Sequence, residues 1–87
     1  MPRWHHVYIL SCRGDYLYTG YTIDVTRRLA QHNKGVGSRF TRSHLPVKLV
    51  YSESYPSRSA ALKRELQIKR LSRKRKLLLT AGFKGKQ

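Results

Sequence analysis

Acidic residues are scarce in this 87-residue chain: four Asp and Glu stand against nineteen Lys and Arg, for a formal charge of +15. A metal-dependent reaction therefore has few carboxylates to draw on, and the cationic excess implies a polyanionic partner. Cysteine occurs once, as Cys12. That excludes an intramolecular disulfide framework and the paired CxxC ligands of a zinc ribbon or finger, and it suits a reducing, cytoplasmic setting. No apolar run approaches the roughly 18 residues of a membrane span, and Val7-Tyr8-Ile9-Leu10 is too short for a signal-peptide core. Gly35-Val36-Gly37 lacks the rest of a phosphate-binding loop, and no Asp stands near a Ser and a His in a recognisable triad order. The expectation is a cytoplasmic protein, without membrane or zinc module, that meets nucleic acid.

The length suits one domain over residues 1–87, with a core at about 4–80 and a basic C-terminal helix and tail over 72–87. His5 to Cys12 and Tyr16 to Thr22 are rich in β-formers, and Arg13-Gly14-Asp15 between them supplies turn chemistry, so the pair reads as a β-hairpin. Alternation puts His6, Tyr8 and Leu10 on one face of the first strand, with Val7 and Ile9 on the other. Asp24 caps a helix to about His32, with Asn33 and Gly35 at its end. Residues 34–46 read as a loop with one helical turn, and Val47 to Ser54 as a third strand. Ser57 or Ser59 opens a helix to about Leu71, and Ser72 opens the last, Arg73 to Ala81, closed by Gly82. The fold class is α+β: a small three-stranded antiparallel sheet flanked by helices, in the order β-β-α-loop-β-α-α.

Charge concentrates toward the C-terminus. Residues 1–57 carry eight basic and three acidic side chains, whereas residues 58–87 carry eleven basic and one acidic. Clustered Lys and Arg are the usual source of sequence-independent phosphate affinity. The candidates are Arg27, Arg39, Arg42, Lys69 and the run Arg73, Lys74, Arg75, Lys76.

Of the four carboxylates, Asp15 belongs to the hairpin turn, Asp24 is better used as a cap, and Glu53 ends an exposed-looking strand. Glu65 differs. Projected at about 100° per residue with Leu62 at 0°, Leu66 falls at about 40°, Ile68 at 240°, Ala61 at 260° and Glu65 at 300°. A carboxylate within the apolar arc wants a cation: either Lys69 four residues on, or Mg²⁺ or Mn²⁺, which takes one or two carboxylates and keeps several waters. The same projection from Val25 sets Arg28 and His32 beside the buried stripe of their helix and turns Arg27 to solvent. His32 reads either as a satisfied core histidine or as a functional one. Arg28 at a core edge needs an anion, and a substrate phosphate would serve. Tyr8, Tyr16 and Tyr18 on the hairpin read as cross-strand packing partners when taken singly.

Taken together these residues resemble a known family. The hairpin bearing His6-Val7-Tyr8 and then Tyr18-Thr19-Gly20 resembles the GIY-YIG nuclease domain. Arg28 four residues before His32 looks like that family's Arg-x-x-x-His/Tyr element, and Arg64-Glu65-Leu66 is similar to the segment carrying its metal-binding glutamate. The likeness spans roughly residues 4–80 and is closest to the small single-domain members. Position 6 is His where the family name has Gly, position 21 is Tyr where many members place Lys, and no Asn follows Glu65. The resemblance implies metal-dependent hydrolysis of DNA phosphodiester bonds with one Mg²⁺ or Mn²⁺, with selectivity for branched or damaged structures a further expectation. It implies Tyr8 as general base with Tyr18 beside it, Arg28 on the scissile phosphate with His32 in support, and Glu65 on the metal. A nearby Arg28 and a bound cation would favour the Tyr8 phenolate. The alternative is a catalytically weak or inactive nucleic-acid-binding module with the same fold.

Overall fold

A computed structural model describes residues 3–83 of the chain. Seven elements form among them: β1 (His5–Cys12), β2 (Tyr16–Thr22), α1 (Val25–Asn33), α2 (Arg39–Arg42), β3 (Val47–Tyr55), α3 (Arg58–Lys69) and α4 (Arg73–Ala81). Residues 84–87, the end of the expected basic tail, lie outside the described residues. The hairpin turn uses Gly14 and Asp15 at positive φ, where glycine carries no steric cost and Asp is tolerated. Each helix starts as its sequence directs: the side chains of Asp24, Ser38, Ser57 and Ser72 accept from Arg27, Thr41, Ala60 and Arg75 backbone N–H groups.

The sheet order is β2-β1-β3, antiparallel throughout. Its central strand β1 is covered on both faces, which is why Val7-Tyr8-Ile9-Leu10 is apolar without interruption rather than alternating. Val7 and Ile9 pack with Ala61 and Ile68 of α3, and Tyr8, Leu10 and Cys12 pack with Val47 and the half-buried Leu29 of α1. The register Ile9↔Tyr51 followed by Leu10↔Leu49 leaves Val50 as an extra residue in β3. This bulge turns Tyr51, Glu53 and Tyr55 toward α3, whereas Val47 and Leu49 face the other way.

Two expectations are corrected. Glu53 is not a free strand end: both hydroxyls, of Tyr51 and Tyr55, donate to its carboxylate, and Arg64 Nε donates to it at 2.7 Å. Burial alone would raise its pKa, but these donors, Arg64 foremost, hold it below the ordinary carboxylate range. The buried stripe of α3 is also not the arc that includes Leu62 and Leu66, which are exposed. It runs through Ala61, Arg64, Glu65 and Ile68, because Arg64 is drawn in by Glu53.

Candidate active site

Tyr8 stands opposite Gly20 in the hairpin register. A Cβ on Gly20 would lie 2.4 Å from the Tyr8 hydroxyl and 2.5 Å from Cζ, so the phenol can lie across edge strand β2 only because residue 20 has no side chain. The Tyr8 hydroxyl meets His32 Nε2 at 2.9 Å, and His32 Nδ1 meets Thr41 Oγ1 at 2.8 Å. Thr41 Oγ1 also donates to the Ser38 carbonyl at 3.3 Å. Ser38 Oγ lies 2.8 Å from the same hydroxyl, so with the Thr41 proton on Ser38 the hydroxyl accepts from His32 Nδ1–H and Nε2 is left to accept the Tyr8 proton. The Tyr18 ring packs edge-on against His32, with centroids 5.3 Å apart. Gly37 admits the imidazole as Gly20 admits the phenol: a Cβ there would fall 2.2 Å from Nδ1.

Arg28 reaches into the same region. Its Nη1 donates to Gln31 Oε1 at 3.1 Å and its Nη2 to the Gly37 carbonyl at 2.9 Å, which fixes the loop that delivers Thr41. It is half-buried while Arg27 is exposed, as the helical projection requires. Both line an open cleft of about 420 Å³ together with Tyr21, Thr22 and Gln31.

Burial pushes the Tyr8 pKa up to about 12; Arg28 opposes the shift, while Tyr18 and Glu65 add to it. The expectation that Arg28 would favour phenolate thus meets a larger opposing cost of burial in the chain without metal. Burial, with the Arg28 charge second, holds His32 below the usual imidazole range, so it is neutral at pH 7. His32 is fully buried and touches Tyr8.

Glu65 Oε2 lies 3.2 Å from Lys69 Nζ. The i,i+4 pairing anticipated as one alternative is therefore formed, with the Lys69 side chain half-exposed. Among the described residues no three His, Cys, Asp or Glu gather around a common point. The donor set nevertheless fits Mg²⁺ or Mn²⁺, which needs only one or two carboxylates when phosphate and water complete the shell. Glu65 is close enough to Tyr8 to perturb it. Arg39, Arg42, Arg73, Lys74 and Arg75 are exposed and Lys76 is half-buried. Sequence reasoning passed over Ser38, Thr41 and Gly37. The Ser-x-x-Thr spacing of a helix cap was the available signal for the first two.

The model of the GIY-YIG catalytic domain matches residues 4–77. The chain belongs to the GIY-YIG family. A GIY-YIG domain implies nuclease activity, and nucleases of this family generally use divalent metals. A UPF0213 protein of Natronomonas pharaonis is 51% identical over 81 residues, covering 93% of this chain and 95% of the relative. A UPF0213 protein of Staphylococcus saprophyticus is 47% identical over 75 residues, covering 86% and 92%. The solution NMR structure of a UPF0213 protein from Bacillus halodurans matches with TM-score 0.59 at 42% identity, over 90% of this chain and 83% of that one. An E. faecalis protein solved by NMR matches with TM-score 0.61 at 36% identity, over 98% and 93%. The fold expected from the sequence, a three-stranded antiparallel sheet with helices, is the observed one.

Proposed function

We propose that this GIY-YIG protein is a divalent-metal-dependent DNA endonuclease in which Tyr8 and His32 act as one proton-accepting unit. The observation that carries this reading is the 2.9 Å contact between the Tyr8 hydroxyl and a neutral, buried His32. A Tyr8 phenolate at pH 7 would lie about five pKa units uphill, or roughly 7 kcal/mol. A relay avoids that cost: Tyr8 takes a proton from the attacking water as its own proton moves to His32 Nε2, so no free phenolate accumulates. The relay requires His32 Nδ1–H to donate to Thr41 Oγ1, whose own proton then goes to Ser38. Arg28, anchored on Gly37, offers positive charge to the scissile phosphate, and Tyr18 walls the phenol–imidazole pair. Glu65 would hold Mg²⁺ or Mn²⁺, which supplies charge neutralisation at the phosphate when bound. The exposed Arg27, Arg39, Arg42 and the Arg73–Lys76 run supply general attraction to the DNA backbone.

The second reading, a binding module with little or no turnover, draws on the raised Tyr8 pKa and on the Glu65–Lys69 pair. Purified protein with labelled duplex, single-stranded, flap and branched DNA, with and without Mn²⁺, separates the two. The nuclease reading expects Mn²⁺-dependent cuts that disappear in Glu65→Gln while DNA binding stays or improves slightly. Cleavage of none of these substrates supports the binding module, and undiminished cutting by Glu65→Gln removes Glu65 from the metal site.

A further inference from the structure

A second group of rings continues outward from Tyr18. Its plane lies within 14° of Phe40, with centroids 6.2 Å apart, and Phe40 stacks on His44 at 4.2 Å. Tyr16 meets both edge-on, at 5.6 Å from Phe40 and 4.7 Å from His44. Packing α2 against the hairpin is one service these rings perform, but packing alone would bury them. Tyr16 remains 50% exposed and Phe40 38% exposed.

The surroundings are cationic. The Arg13 backbone N–H donates to the His44 carbonyl at 2.9 Å, which ties the hairpin turn to this cluster. Arg39 and Arg42 flank Phe40 on α2, and Arg13, Arg39 and Arg42 are all exposed. Asp15 is the sole carboxylate in residues 3–20 and 34–50. Partly exposed aromatic rings between arginines form the combination that holds single-stranded nucleic acid, by stacking on bases and charge on the backbone. A base inside a duplex has both faces occupied by its neighbours, so an internal paired base cannot use such a surface whereas an unpaired one can.

We infer that Tyr16 and Phe40, backed by His44 and Tyr18, form a stacking platform for an unpaired nucleobase of a DNA strand. Tyr18 contacts both Phe40 and His32, so the seated base lies beside the candidate catalytic pair and the scissile phosphate adjoins an unstacked nucleotide. That placement rests on the nuclease reading; binding of the base does not.

The test uses the full chain in EDTA, so that cleavage plays no part. An oligonucleotide with a single 2-aminopurine is titrated as a single strand, as a duplex and with a neighbouring abasic position, against the unaltered protein, Phe40→Leu and Phe40→Trp. The unaltered protein should quench the single strand and not the duplex. Phe40→Leu should weaken single-strand affinity by about fivefold or more, the lower end of one stacked base, and leave duplex affinity within about twofold. Phe40→Trp should retain tight single-strand binding. Equal weakening of strand and duplex by Phe40→Leu, or no change in either, overturns the platform. Should circular dichroism show Phe40→Leu unfolded, Tyr16→Leu is read by the same criteria. Mn²⁺-dependent cleavage without quenching removes the platform and keeps the nuclease; quenching without cleavage does the reverse.

Discussion

Replacing Gly20 with Ala is the sharpest single perturbation of this site. The added Cβ would sit 2.4 Å from the Tyr8 hydroxyl, 2.5 Å from Cζ and 3.0 Å from Cε2, far inside contact distance. Gly20 has no positive φ, so the backbone accepts alanine and the whole effect falls on Tyr8. The phenol must swing off β2 and release His32 Nε2, which is buried with no other partner. Overpacking costs about 1–3 kcal/mol, and the stranded imidazole nitrogen about 1–3 kcal/mol. Alanine returns about 0.4–1 kcal/mol by restricting the unfolded chain. The net expectation is a loss of about 1–6 kcal/mol, or a fall in Tm of at least about 4 °C for a domain of this size. Cleavage should vanish with the displaced hydroxyl. Urea denaturation of a double-mutant cycle checks the cause: in a Tyr8→Ala background the clash has no target, so Gly20→Ala should cost almost nothing. A coupling energy below about 0.5 kcal/mol would show that the two residues are independent and that the close approach does not govern the site.

The other expectations concern pH, the two arginines and salt. His32, held neutral below its ordinary range, contributes stability above about pH 6.5 that is lost as the unfolded chain takes up a proton below it. Tyr8, raised from 10.0 to about 12, contributes stability present below pH 10 that disappears between pH 10 and 12. That component is of order 2–3 kcal/mol, and it should be missing from denaturation curves of Tyr8→Phe. If Tyr8 works as a relay, the cleavage rate is flat from pH 7 to 9; a tenfold rise per pH unit over that range would mean free phenolate is the base instead. Arg28→Ala should abolish turnover while Arg27→Ala only weakens binding, and equal losses in both would make α1 a basic surface and nothing more. Replacing Arg73, Lys74, Arg75 and Lys76 with Gln should make the dependence of log K on log salt shallower by roughly two units, for every sequence alike. A collapse of single-turnover cleavage at saturating DNA, with the slope unmoved, would instead put α4 at the reaction centre.

Much of the architecture could be read locally, because its signals are local. The caps at Asp24, Ser57 and Ser72 and the Gly14–Asp15 turn act within a few residues, and the structure uses each of them. The side on which Arg28 and His32 fall follows from helix geometry alone. What could not be read depends on partners distant in the chain. Glu53 looked exposed because its three donors lie on its own strand face and on α3, and only the bulge at Val50 turns it toward them. Leu62 and Leu66 looked like core because apolar character was the only guide to orientation, yet the Glu53–Arg64 pair rotates the helix away from them. The His32–Thr41 contact needs a loop conformation that Gly37 permits and Arg28 fixes, and nothing in the spacing of these residues announces it.

Asn33, at the end of α1, has a consequence for the outer margin of the sheet. Its side-chain amide donates to the Val47 carbonyl at 2.9 Å, and its side-chain oxygen accepts from the Val47 N–H at 2.9 Å. It thus imitates a neighbouring strand at the first residue of β3, which among the described residues has no strand beyond it. Bare strand margins recruit other chains, and natural proteins blunt them. A protein of charge +15 that gathers along a polyanion loses the mutual repulsion that otherwise keeps its copies apart. Protection against self-association then falls to groups that cover the strand margin. One carboxamide occupies the slot where a second molecule would begin to pair, so crowding of copies need not lead to sheet-to-sheet aggregation there.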